Sequence, residues 1–138
     1  MPETITLNLT LPRIPDVELV AIEGLERLAK HLGIAEAKVG EARIIVAEAV
    51  TNALEHAGDA EPTVRVEFTM TAEEITIFVQ DKGKGFDPAS VGDPDVTAKL
   101  HSPYKRGWGL KLMKSLSDDF RIESGNQGTT IIIRKLLR

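Results

Sequence analysis

The sequence contains no cysteine among its 138 residues, which excludes both a disulfide framework and a thiolate metal site. Its three histidines are far apart in sequence and show no metal-ligand spacing. No apolar run approaches the ~20 residues needed to span a bilayer, and the first ten residues lack the basic and apolar regions of a signal peptide. We therefore expect a cytoplasmic protein that makes no membrane contact.

Excess positive charge is also absent, since the net charge is −4 at pH 7. This balance argues against a broad nucleic-acid-binding face, and we expect no direct nucleic-acid partner. Apolar residues make up 42% and charged residues 28% of the chain, as in a soluble globular protein. The length suits one domain, 1–138, with a real hydrophobic core.

Apolar residues alternate with polar ones in three segments, a further two segments near the C-terminus are predicted as strands from Phe120, Ile122 and the run Thr130–Ile133, and three other segments have helical spacing. The predicted order is strand, helix, helix, strand, strand, loop, helix, strand, strand. Strands joined by short turns pair antiparallel, so we expect a mixed, mostly antiparallel sheet covered on one face by helices, a two-layer α/β sandwich. The first strand is predicted at Glu3–Leu9 and a turn at Leu11–Pro15. Asp16 is predicted to cap the first helix and Gly33 to end it.

The second predicted helix carries a polar stripe on an otherwise apolar surface. Glu48 and Asn52 are four residues apart and lie almost one above the other, with Glu41 and Glu55 close to the same line. Apolar neighbours indicate that Glu48 is partly covered, and a covered carboxylate is costly without a cation or hydrogen-bond donor. The stripe is thus either a ligand site or simply a solvated polar face.

A glycine-rich motif follows the predicted strand that ends near residue 80. Asp81 can accept a hydrogen bond from an exocyclic amine, while Gly83 and Gly85 allow close approach of backbone to a ligand. The next segment, 88–106, has no convincing period. A loop of this length in a compact domain is usually functional or disordered.

A second glycine motif opens the third predicted helix. Gly107 and Gly109 follow two basic residues, Lys105 and Arg106, and a helix start of this kind suits phosphate through its free N–H groups and dipole. The motif does not follow a strand in a βαβ unit, and no P-loop pattern is present, so dinucleotide and P-loop sites are disfavoured. Each motif alone is weak, whereas the ordered set is more specific.

The ordered set resembles the ATP-binding fold shared by DNA gyrase, heat-shock chaperone ATPases, sensor histidine kinases and mismatch-repair ATPases. Within that superfamily it is most similar to the small bacterial anti-sigma factors that are also serine protein kinases. The resemblance covers nearly the whole chain. It is carried by Glu48-Ala-Val-Thr-Asn52-Ala, which is like the N box, by Asp81-Lys-Gly-Lys-Gly85-Phe and Arg106-Gly-Trp-Gly-Leu110, which are like the two glycine boxes, and by Gly128-Thr-Thr130, which is like the closing motif.

The resemblance implies a role for each matching residue. It makes Asn52 the magnesium ligand, Glu48 the general base for an acceptor serine, and Asp81 the acid that binds adenine. The remaining nucleotide-binding residues that it implies are Gly83, Gly85, Lys105, Arg106, Gly107, Gly109, Leu110 and Thr129, with the choice between Lys105 and Arg106 as the phosphate contact left open. The resemblance also implies a nucleotide lid at about 88–106, whereas His56 receives no chemical role.

The function implied by the resemblance is that of an anti-sigma factor with ATP-dependent protein serine/threonine kinase activity. Such a protein uses ATP and Mg²⁺, forms a homodimer, binds a sigma factor and phosphorylates an anti-anti-sigma protein. Two alternatives are a non-catalytic module that senses ATP or ADP, and the detached catalytic domain of a histidine kinase. Retention of both Glu48 and Asn52 disfavours the first, and the short chain disfavours the second.

Overall fold

A computed structural model describes residues 3–59, 62–83 and 106–138, with the backbone alone for 106–108. The predicted lid at 88–106, apart from the backbone of Arg106, lies outside the described residues. The described strands are β1 (Ile5–Pro12), β2 (Thr63–Met70), β3 (Glu74–Asp81), β4 (Asp119–Gly125) and β5 (Gly128–Leu136). The described helices are α1 (Glu18–Leu32), α2 (Glu36–His56) and α3 (Arg106–Leu116).

The strands form one sheet in the order β1-β2-β3-β5-β4, and each neighbouring pair is antiparallel. One face of the sheet is apolar and carries the helices, which confirms the predicted two-layer α/β sandwich. The sheet was expected to be mixed, but every pairing among the described strands is antiparallel. The central pair, β3 and β5, places Asp81 opposite Thr129.

Helix α2 lies at the centre of the helical layer. Val46, Ala49, Val50 and Ala53 are buried, as predicted for the face that packs on the sheet. Small side chains at this face let the helix approach the strands closely. No helix in the part of the chain that the structure describes is long and apolar enough to cross a membrane.

Two boundary predictions near the N-terminus are wrong. Strand β1 continues to Pro12, which pairs with Thr63, because an edge strand tolerates a proline that has no N–H to donate. Asp16 does not cap α1: the N-cap residue is Val17, without a side-chain cap hydrogen bond. Asp16 instead has a φ of 62°, in the left-handed region. The end of α1 at Gly33, with a φ of 70°, is as predicted.

The turn between β4 and β5 requires a glycine at position 128, where β5 begins. Gly128 has a φ of 128°, and a methyl group added there would lie 2.1 Å from the carbonyl oxygen of Asp81. Both the conformation and the contact therefore exclude a side chain. This close approach seats the start of β5 against the end of β3.

We expect Gly128→Ala to lower the free energy of unfolding by at least about 2 kcal/mol, because it adds both backbone strain and a clash with backbone. The matched control is Gly125→Ala in the same hairpin, where an added methyl group would meet nothing within 4 Å. Its free energy of unfolding should stay within about 0.5 kcal/mol of the wild-type value. Urea denaturation of both variants makes the comparison, and equal losses would show that the contact at Gly128 relaxes freely.

Candidate functional site

The polar stripe on α2 faces the start of α3. Glu48 is half-buried, in agreement with its predicted partial covering. A methyl group added at Gly109 would lie 2.8 Å from Oε2 of Glu48, so the first turn of α3 passes directly over this carboxyl group. The glycine leaves room for this carboxyl group, because an added methyl group would require the Glu48 side chain to shift.

Asn52 lies one helical turn further along the same stripe and is only 7% exposed. Its Oδ1 atom is buried and, among the described residues, has no hydrogen-bond partner. Leaving such an atom unsatisfied costs about 1–3 kcal/mol, so a native protein that retains it usually has a use for it. Amide oxygens are ligands that Mg²⁺ accepts, commonly as one of few protein ligands beside substrate phosphates. The residue present therefore fits a magnesium ion that is held mainly by a nucleotide.

Asp81 ends β3 and is 2% exposed. Burial raises the pKa of its carboxyl group, and three neighbours oppose the shift: the backbone N–H of Gly83, the charge of His56 and the backbone N–H of Thr129. The Gly83 N–H donates to Oδ1 over 2.8 Å. A buried carboxyl group with these fixed neighbours is well placed to accept a hydrogen bond from a ligand amine.

Gly83 is fixed against the C-terminal end of α2. A methyl group added to it would lie 1.6 Å from the carbonyl oxygen of His56, which is an impossible contact. A second glycine, Gly58, also approaches this segment, since its added methyl group would lie 3.4 Å from the carbonyl oxygen of Lys82. The segment after β3 therefore packs backbone to backbone on the end of the helix that carries Glu48 and Asn52.

Thr129 continues the site onto β5. It pairs with Asp81 across the β3–β5 register and is 2% exposed. Its hydroxyl group lies 2.7 Å from the hydroxyl group of Ser124 on β4. A groove of about 650 Å³ opens here, lined by residues on both sides of the β4–β5 turn and by Asp81. Thr129, within the Gly128-Thr-Thr130 motif, thus lies next to Asp81.

The described site residues form one continuous series from α3 to β5. Gly109 contacts Glu48, which precedes Asn52 by one turn of α2, and the end of α2 contacts Gly83 beside Asp81. Leu110 is buried between the helices and the sheet. Of the other predicted residues, Arg106 and Gly107 are described by their backbone in the first turn of α3, and Gly85 and Lys105 lie outside the described residues.

Sequence reasoning missed several residues that shape this site. Arg13 donates to the carbonyl oxygens of Leu54 and Ala57 and so caps the C-terminal end of α2. Lys135 is 3% exposed and links α2 to α3. No sequence pattern marks Lys135, because β5 carries three consecutive isoleucines, Ile131 to Ile133, and these do not show which face of the strand is buried. No pattern marks Arg13 either.

A family model described as a histidine kinase-like ATPase domain matches residues 14–135. The structure of the RsbU and RsbW domains of Rv1364c from Mycobacterium tuberculosis is similar, with a TM-score of 0.70 and 21% identity, over 97% of this chain and 33% of that chain. This chain thus spans about a third of the length of that neighbour.

The SiaB-SiaC complex from Pseudomonas aeruginosa contains a second similar chain, with a TM-score of 0.63 and 14% identity, over 94% of this chain and 88% of that chain. No curated protein sequence matches the chain. The family model confirms the resemblance to the histidine kinase-like ATPase fold that the motifs predicted.

The raised pKa of Asp81 makes a prediction about stability. The folded state holds this proton more tightly than the unfolded chain, whose carboxyl group has its ordinary pKa of 3.8. Stability from this group is therefore fully present below pH 3.8 and is lost as the pH rises through the raised value. Asp81→Asn stays neutral and can still accept from Gly83, so its free energy of unfolding should exceed the wild-type value increasingly as the pH rises.

Urea titrations from about pH 4 to about pH 8 measure this difference between variant and wild type. Glu23→Gln, at an exposed position on α1, is the control and should change stability by less than about 0.5 kcal/mol throughout. A difference between Asp81→Asn and wild type that does not vary with pH would show that burial does not raise the pKa of this carboxyl group.

Proposed function

Since the chain belongs to the family of histidine kinase-like ATPase domains, we propose that it is an ATP-dependent protein serine/threonine kinase that also acts as an anti-sigma factor. The observation that carries the proposal is the pair of buried polar groups, the unpartnered Oδ1 of Asn52 and the carboxyl group of Asp81. Burying either group without a bound ligand lowers the stability of the protein. The amide oxygen suits the magnesium ion at the phosphate end of MgATP, and the carboxyl group suits the amine at its adenine end.

Adenine recognition is proposed for Asp81. Its carboxyl group can accept a hydrogen bond from the exocyclic amine of adenine, whereas guanine carries a carbonyl group at that position. Thr129 is adjacent across the register and its hydroxyl group can join the same hydrogen-bond network. Gly83 holds the segment after β3 against α2 and donates its N–H to Asp81, which fixes the orientation of the carboxyl group.

Binding of the phosphates is proposed for the region between α2 and the first turn of α3. Asn52 would hold Mg²⁺ through Oδ1, and the ion would neutralise charge on the phosphates. The free N–H groups in the first turn of α3, around Gly107 and Gly109, suit an anion. Lys105 or Arg106 would add positive charge there, and Gly85 would line the nucleotide.

Glu48 is proposed as the general base. The serine oxygen of the acceptor would form a bond to the γ-phosphorus while the bond from that phosphorus to the bridging oxygen of ADP breaks. The proton of the serine hydroxyl group would pass to Glu48. The position of Glu48 beside the start of α3 supports this role, because the base must be close to the phosphates but not bonded to them.

The partners are proposed by analogy with the resemblance and with the solved neighbours. A neighbour solved in the SiaB-SiaC complex supports a chain that binds another protein, and a neighbour named as an RsbW domain shares its fold. We propose that this partner is an anti-anti-sigma protein phosphorylated on serine, that a sigma factor is retained by the same chain, and that the chain forms a homodimer.

The proposal is tested by incubating the chain with radiolabelled ATP, Mg²⁺ and candidate anti-anti-sigma proteins. The expected product is an acid-stable phosphoserine on the acceptor. Binding of ATP without transfer to any acceptor would favour the non-catalytic sensing module. An acid-labile phosphohistidine on a partner would favour a histidine kinase domain instead.

Variants of the α2 stripe separate binding from chemistry. Asn52→Ala removes the proposed metal ligand, so Mg²⁺-dependent ATP affinity and the rate of transfer should fall together. Glu48→Gln keeps size and polarity but removes the base, so ATP affinity should be nearly unchanged while the transfer rate falls by ~10²–10⁴-fold. Calorimetry with MgATP and single-turnover transfer give the two quantities. A wild-type transfer rate in Glu48→Gln would mean that Glu48 is not the base.

A further inference from the structure

One buried cation plays no part in the proposed chemistry. Lys135 is 3% exposed, although lysine is almost never fully buried without a partner. Its Nζ lies 2.5 Å from Oε2 of Glu41 on α2 and donates to the carbonyl oxygen of Leu116 over 2.8 Å. The nearby ammonium group also holds the pKa of Glu41 below its ordinary value. One β5 side chain thus links α2 to the last residue of α3.

Glu41, the residue of α2 that Lys135 contacts, lies on the same polar stripe as Glu48. The number of residues from Glu41 to Glu48 equals the number from Gly109 to Leu116, and at roughly 1.5 Å per residue each span is about 10 Å. The two helices run antiparallel along this length. Leu116 is held beside Glu41 at one end, and Gly109 passes over Glu48 at the other.

The end of α3 has a second attachment, in which two hydrogen bonds lead to β5. The backbone N–H of Asp118 donates to the carbonyl oxygen of Arg134 over 2.9 Å, and the backbone N–H of Leu136 donates to the Asp118 carboxyl group over 2.7 Å. These bonds fix the chain after α3 to the sheet. Lys135 differs from them because it also reaches α2, so it can set the position of α3 along that helix.

We propose that Lys135, together with Glu41, is a positioning residue that fixes the register of α3 on α2 and so holds Gly109 over Glu48. A rigid helix pinned at its C-terminal end transmits its position to its N-terminal end. Loss of the pin lets α3 shift along α2, and the proposed phosphate-binding turn then moves relative to the proposed base. Displacements of about 1 Å at a reacting centre can cost ~10²-fold in rate. The catalytic part of this inference rests on the proposed function, while the register itself does not.

The test compares Lys135→Met, which keeps the length of the side chain but removes the ammonium group, with Phe68→Leu. Phe68 is fully buried on β2, which β3 separates from β5, so its variant lowers stability without removing a hydrogen bond or ion pair of Lys135. Hydrogen exchange is measured on both proteins without nucleotide. We expect Lys135→Met to lower the protection of amides throughout α3, including those at Leu110 and Met113. Phe68→Leu should lower protection in α3 by no more than it lowers protection in α1 and α2.

The same two variants are then assayed with MgATP and an acceptor protein. Lys135→Met should lower kcat by about tenfold or more under conditions where the protein is fully folded, whereas Phe68→Leu should keep the wild-type kcat. Glu41→Ala provides a second route, because Glu41 is 39% exposed and its removal leaves no buried gap. It should change exchange in α3 and kcat in the same direction, because it leaves the ammonium group of Lys135 without its anion, and it decides the question if Lys135→Met does not fold.

The two proposals fail in different ways. Loss of protection confined to the last turn of α3, with unchanged exchange near Gly109, would overturn the register pin whatever the enzyme does. Wild-type protein that neither binds MgATP nor transfers phosphate would overturn the proposed function, and the exchange measurement would still decide the role of Lys135. An unchanged kcat in a folded Lys135→Met variant with altered exchange would overturn the link between register and catalysis.

Discussion

The site depends on two close contacts with α2, each of which is made at a glycine. Gly83 meets the carbonyl oxygen of His56 at one end of the helix, and Gly109 meets the carboxyl group of Glu48 about two turns away. These contacts fix the end of β3 and the start of α3 to a single rigid element. Because α2 is itself seated on the sheet by small buried residues, the relative positions of the two glycine motifs follow from the core.

The polar groups that this arrangement brings inside are unfavourable for folding on their own. Burial raises the pKa of Asp81, and Oδ1 of Asn52 lacks a hydrogen-bond partner among the residues that the structure describes. The surrounding apolar layer must supply the free energy that offsets them, with buried side chains such as Phe68 contributing roughly 1.5–3 kcal/mol each. A protein that keeps such groups gives up some stability for what they bind.

The sequence predicted the sandwich because its periods are regular: strands of period two carry one buried face, and α2 carries a continuous apolar face. The sequence-based prediction was wrong at Pro12, where pairing of the edge strand overrides local propensity, and at Asp16, where the backbone is left-handed. Site residues within motifs could be predicted from chemistry and spacing. Lys135 could not be assigned a role, since its partners come from α2 and α3 and only the tertiary fold brings them together.

Glycine motifs and polar residues do not carry equal weight as indications of nucleotide binding. Gly83 and Gly128 are required by contacts within the protein itself, at the carbonyl oxygens of His56 and Asp81, so each would be a glycine even if no ligand were bound. A shared pattern of glycines therefore argues for a shared fold before it argues for a shared ligand. Asn52 and Asp81 differ, because no packing requirement explains a buried amide oxygen without a partner or a buried carboxyl group with a raised pKa. These two costly residues are therefore the stronger indication of a nucleotide, and the glycines bring them to the same end of α2.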